Sequence, residues 1–213
     1  MNLIKKIAAF VRFRPSCASA RARHRFIRVQ SIRRVTSRRR RGIAAVEFAL
    51  SLPIWITLLI GVTDGAYCLL VNEKVDRIAY SVTNIVTEYQ TITISNLKDI
   101  LQAASQLMQP FSFGSNGVVI VSSIYKPTGQ TPVIEWQYSG GGTLTKTSQI
   151  GTTGSAPTLP NGLTLNDNDN VIVSEVYYNF SPLFFNYGLI STNTIYRVAI
   201  YKPRLSPLIN PPT

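Results

Sequence analysis

Glu47 is the first acidic residue in this 213-residue chain, and it is the only charge in the apolar run 43–63. A carboxylate at that depth in an apolar segment costs a few kcal/mol unless it reaches a boundary or meets a cation, so charge pairing is the chemistry it suits. The other candidate groups are weaker. The one histidine, His24, precedes that run, so the serines and threonines after it have no imidazole to activate them as nucleophiles. Glu135 and Glu175 sit in the middle of strand-like segments between apolar residues, and strand alternation predicts that both face solvent rather than act as an acid/base pair. Asp167, Asn168, Asp169 and Asn170 offer oxygen ligands for calcium, but the run lacks the glycine and distal glutamate of a calcium-binding loop and reads as a turn. Gly140, Gly141 and Gly142 are not followed by the lysine–serine/threonine pair of a phosphate loop and read as a linker. The expectation is a protein without catalytic residues, metal or cofactor.

Charge is segregated along the chain. Fourteen of the 22 basic residues, Lys5, Lys6 and twelve arginines, precede Gly42, where there is no acid. The eight remaining bases face all ten acids, so residues 43–213 carry a net charge of −2. The net charge of +12 therefore belongs to the N-terminal segment, and the body of the protein has no basic surface suited to nucleic acid. Cys17 and Cys68 fall on opposite sides of Gly42, and Cys68 reads as a buried helix residue.

The elements that must position Glu47 follow from the apolar run. As a helix, residues 43–63 rise about 31 Å, close to the hydrocarbon thickness of a bilayer. Arg38, Arg39, Arg40 and Arg41 abut it as the cytoplasmic flank expected of an inserted helix, which leaves the rest of the chain outside. Pro53 should kink this helix, and Gly61 and Gly65 offer either a close helix contact or a bend. A conventional signal peptide fits poorly, because no small-residue cleavage site follows the run, and Tyr67 before Cys68 disfavours a lipoprotein anchor. The acid-free, arginine-rich beginning also matches an organelle transit peptide in composition.

The segment Arg40-Arg41-Gly42-Ile43-Ala44-Ala45-Val46-Glu47-Phe48-Ala49-Leu50 resembles the processing and insertion signature of TadE-like proteins, minor pilins or pseudopilins of the tight-adherence type IV pilus. A second, shorter likeness to TadE- and TadG-like chains lies at 171–184, Arg197 and 200–207. The resemblance implies that residues 1–42 form a leader cut between Gly42 and Ile43 by a prepilin peptidase. It also implies that Glu47, with Phe48 beside it, acts in assembly. A new ammonium at Ile43 and the Glu47 carboxylate would pair within or between subunits and set axial register. The implied partners are the peptidase, other pilins and pseudopilins, a pilus assembly platform and membrane lipid. The implied location is the bacterial inner membrane, single pass, N-terminus cytoplasmic and C-terminal domain periplasmic, possible fibre incorporation included. The alternative is a single-pass membrane-anchored binding protein or adhesin that uses loops 139–169.

The remaining pattern predicts an α+β, pilin-like fold. Val71, Val75, Ile78, Val82, Ile85 and Tyr89 recur at helical spacing, so the membrane helix is expected to continue over 64–89, with Glu73 and Arg77 paired on its other face. Residues 43–89 would then make one helix of about 70 Å. A second helix is expected over 96–109, capped by Ser95 or Asn96 and ended by Pro110. Strands are expected at 117–125, 131–138, 170–180 and 193–201, forming a largely antiparallel sheet over 117–201 with long polar surface loops at 139–169. The domain reading is thus 1–42 leader, 43–63 transmembrane helix and 64–213 extracytoplasmic domain.

Overall fold

The computed structural model describes residues 27–184 and 193–213, with side chains described from residue 42 onward. The expectations for residues 1–26, Cys17 and His24 among them, lie outside the described residues, as do the side chains of Arg38 to Arg41. The elements are α1 (Ile27–Val86), α2 (Ile94–Gln106), β1 (Gly117–Tyr125), β2 (Val133–Gly140), β3 (Asn170–Phe180) and β4 (Asn193–Tyr201). The protein is α+β, with one long apolar N-terminal helix, a second helix and a four-stranded antiparallel sheet.

The chain divides into two units, 1–56 and 57–213. In the first, every described residue belongs to α1, which begins sixteen residues before the expected start at Ile43. Arginine favours helix, and no proline or glycine lies between Ile27 and Gly42 to stop it. Pro53 lies inside α1, and the helix runs through it.

In the second unit the last part of α1, α2 and the sheet share one core. Val71, Val75, Ile78, Val82 and Val86 form the buried stripe of α1. Ile85, expected in that stripe, is exposed, because the helix turns Val86 inward instead. The helix ends in tight turns: Glu88 N–H bonds Ile85 O at 3.1 Å and Tyr89 N–H bonds Val86 O at 3.3 Å. Among the described residues Glu73 and Arg77 form no ion pair, and Asp76 is the residue of that turn that meets an arginine, Arg197 of β4. Thr93, rather than Ser95 or Asn96, caps α2, its Oγ1 accepting the Asn96 amide at 3.1 Å. Leu97, Ile100, Leu101 and Ala104 then face the core.

The strand order is β2-β1-β3-β4, with every pair antiparallel. Val119 and Val121 of β1, with Ile172, Val176 and Tyr178 of β3, pack toward the helices. Val118, Ile120, Val171, Val173 and Tyr177 alternate to the opposite face. That face is covered as well. Residues 139–169 are more than polar surface loops: Ile150 and Leu165 are buried against Ile124, Ile134, Val171 and Val173, and Leu144 packs on the cluster of Val118, Ile120 and Tyr177. Gly142 lets this segment leave β2, since a Cβ there would run into the carbonyl oxygens of Gly114 and Gly117. The C-terminal tail is pinned by Leu208, whose carbonyl accepts Ser123 Oγ at 2.6 Å and Trp136 Nε1 at 2.9 Å.

Candidate processing and anchoring segment

Gly42, Ile43, Glu47 and Phe48 all lie on α1 and are exposed. Ile43 and Glu47 are four residues apart, so they occupy one helix face about 6 Å apart along the axis. Phe48 points about 100° away from Glu47, so these two do not share a face. Among the described residues Glu47 makes no hydrogen bond or ion pair. A Cβ at Gly42 would meet nothing within 4 Å, and Gly42 has no positive φ. Among the described residues neither packing nor backbone conformation therefore requires glycine at 42. Gly61 and Gly65 are equally open.

The segment is apolar all around. Ile43, Val46, Phe48, Leu50, Ile54, Trp55, Leu58, Leu59 and Val62 are all exposed, and the helical stretch Gly42–Val86 contains a window long and apolar enough to cross a membrane. An exposed apolar surface of this extent lacks the polar face that a surface helix of a globular domain would carry. The one charge within it, Glu47, lies a little more than a turn from Gly42. Cys68, expected to be buried, is only partly so, and Asn72 Nδ2 approaches its Sγ at 3.5 Å.

Three polar arrangements in the second unit do not follow from sequence pattern. Asp64 is buried, and its Oδ1 accepts the backbone amides of Leu183 at 3.1 Å and Phe184 at 3.3 Å. Arg197 reaches across to α1, with Nε 2.9 Å from Asp76 Oδ1 and Nη2 2.8 Å from Asn72 Oδ1. The third corrects an expectation. Glu175 is fully buried rather than solvent-facing, because residues 147–150 close over its side of the sheet. Its carboxylate accepts Gln149 N–H at 2.9 Å, Tyr196 Oη at 3.0 Å, Tyr177 Oη at 3.1 Å and the Ser148 hydroxyl. Glu135 stands partly exposed on β2 and joins no such group. A glutamate amid apolar and aromatic residues, with tyrosine two positions on, is the one trace of this network in the sequence.

Residues 167–170 form the expected turn. Asp167 pairs with Lys126 and Asp169 with Lys202, each at 2.9 Å, and these lysines hold both carboxyls below the usual range. Asn168 takes a left-handed conformation, φ 66°, and Asn170 bonds Ser123 Oγ and the Ile124 carbonyl.

No curated protein and no solved structure matches the chain. The model of one protein family, TadF, described as putative tight adherence pilin protein F, matches residues 36–153. That span begins just before the arginine run and extends through α2, β1 and β2, more than half of the chain. It agrees with the tight-adherence pilus system that residues 40–50 resemble, under the F rather than the E designation. The likeness at 171–207 lies outside it. With a signature at 40–50, an exposed apolar helix and an α+β head within or beside the matched span, the chain belongs to the TadF family of tight adherence pilin proteins.

Proposed function

We propose that this protein is a minor pilin or pseudopilin of the tight-adherence pilus, made as a precursor and matured by a prepilin peptidase. The observation that carries the reading is the placement of Gly42 and Glu47. They stand five residues apart within α1, at the start of its exposed apolar stretch and inside the span that matches the family. The peptidase cuts between Gly42 and Ile43 and releases residues 1–42, and residues 43–63 anchor the product in the inner membrane. The arginines at 38–41 hold the leader in the cytoplasm, and residues 64–213 face the periplasm.

Two physical points support this reading. Nothing among the described residues needs glycine at 42, so the residue suits a demand from outside, that of an enzyme approaching the backbone. Glycine also costs about 1 kcal/mol relative to alanine inside a helix, so the bond after Gly42 is among the easiest in α1 to open for cleavage. After cleavage, the Ile43 ammonium and the Glu47 carboxylate stand one turn apart, and Glu47 can pair with its own or a neighbouring N-terminus. The protein is thus a structural subunit whose partners are the peptidase, other pilins and pseudopilins, the assembly platform and lipid.

The test is a pair of variants followed by immunoblot and by recovery of sheared fibres. Gly42→Val should leave the precursor uncut. Glu47→Ala should be cut and inserted yet fail to support assembly. Normal assembly by Glu47→Ala would refute its proposed role.

A further inference from the structure

We infer that Leu183 and Phe184, which follow β3, form a second membrane contact and seat the membrane-proximal end of the head in the lipid interface. The inference rests on the reading of residues 43–63 as a membrane anchor. Asp64 is the first residue after that apolar run. It is 1% exposed, and its carboxylate holds the amides of both Leu183 and Phe184. These two residues are therefore fixed at the level where α1 leaves the hydrocarbon. Their side chains are not absorbed by the head: Leu183 is 59% exposed and Phe184 61%.

The helix marks the depth of the apolar zone. Beyond Asp64 it still exposes Leu69 and Leu70, and its next exposed large apolar residue is Tyr80. From Asp64 to Leu70 is about 9 Å of helix, comparable to one interfacial layer of a bilayer. Leu183 and Phe184 lie at the lower edge of that band. Side chains of this type enter the boundary between headgroups and acyl chains, while the amides beside them keep their partner in Asp64. The occupant of this surface is lipid, because Asp64 ties it to the end of the exposed apolar stretch that includes Leu58, Leu59 and Val62.

The far end of the head supplies a control. Leu205 is just as exposed but follows Arg204, whose amide bonds Thr87 O at 3.0 Å. Thr87 directly follows Val86, the last residue of α1, which is about 33 Å along the helix from Asp64.

The experiment uses the full chain with Cys17 and Cys68 replaced by serine and a single cysteine carrying a bimane. The positions are 59, 183, 184 or 205, and the protein is reconstituted in phosphatidylethanolamine–phosphatidylglycerol vesicles. A trace phosphatidylcholine with a nitroxide on a shallow acyl carbon is the quencher. Labels at 59, 183 and 184 should be quenched several-fold more than the label at 205. Quenching at 59 with none at 183 and 184 would overturn the second contact and leave the anchor intact. No quenching at 59 would overturn the anchor, and the second contact with it.

Discussion

The Tyr196 hydroxyl on β4 donates to Glu175 Oε1 on β3 at 3.0 Å, and both side chains lie under the segment that follows β2. Tyr177, Ser148 and the Gln149 amide complete a cage of donors around one carboxylate. An amide side chain in its place would turn a donor toward some of these donors. Glu175→Gln should therefore cost about 2–4 kcal/mol, and Tyr196→Phe about 1 kcal/mol. Near-UV circular dichroism melting of the detergent-solubilised chain checks both, and an unchanged midpoint for Glu175→Gln would contradict the cage.

The same cage makes alkaline behaviour specific. Burial, and then the negative charge of Glu175, push the Tyr177 and Tyr196 phenols above the ordinary tyrosine value near 10. A raised pKa in the folded state means stability that is fully present below about pH 10 and is lost as pH climbs beyond it. Burial also raises the Tyr178 phenol, so absorbance titration should show these tyrosines, Tyr177 and Tyr196 above all, resisting ionisation until the head unfolds. Ionisation of Tyr177 and Tyr196 near pH 10 in the folded chain would count against the buried network.

The Arg197–Asp76 pair should matter far less. Both side chains are about two-fifths exposed, so Asp76→Asn should change stability by no more than about 1 kcal/mol. Added salt should shrink that difference further.

Packing predicts larger effects. Leu101 is fully buried in the core, and Leu101→Ala should cost about 2–5 kcal/mol. Gly142→Ala should cost about 3 kcal/mol, because the new methyl meets backbone carbonyls that cannot swing aside. Thermal melting of each variant measures these costs.

Much of the fold is legible in the residues because local periodicity carries it. The valines and isoleucines from 71 to 82 announce a helix with one buried face, and β-branched runs bounded by Gly, Pro and Asn place four strands to within two residues. What escapes is what depends on distant chain. Alternation correctly turns Glu175 away from the helices, but only the path of residues 143–165 decides that this face is covered. The helix start at Ile27 and the cap at Thr93 are boundary details, where propensity and backbone geometry compete locally. In the candidate site, the spacing of Gly42 and Glu47 is plain from the residues alone. The tie from Asp64 to Leu183 and Phe184 is not, since 119 residues separate Asp64 from Leu183 and no pattern links them.

The most direct test of the proposed maturation is the N-terminus of the protein purified from membranes, read by mass spectrometry in cells with and without an active prepilin peptidase. A chain that begins at Ile43 only when the peptidase is active is the predicted result. An intact leader, or a cut elsewhere that does not need the peptidase, would contradict it.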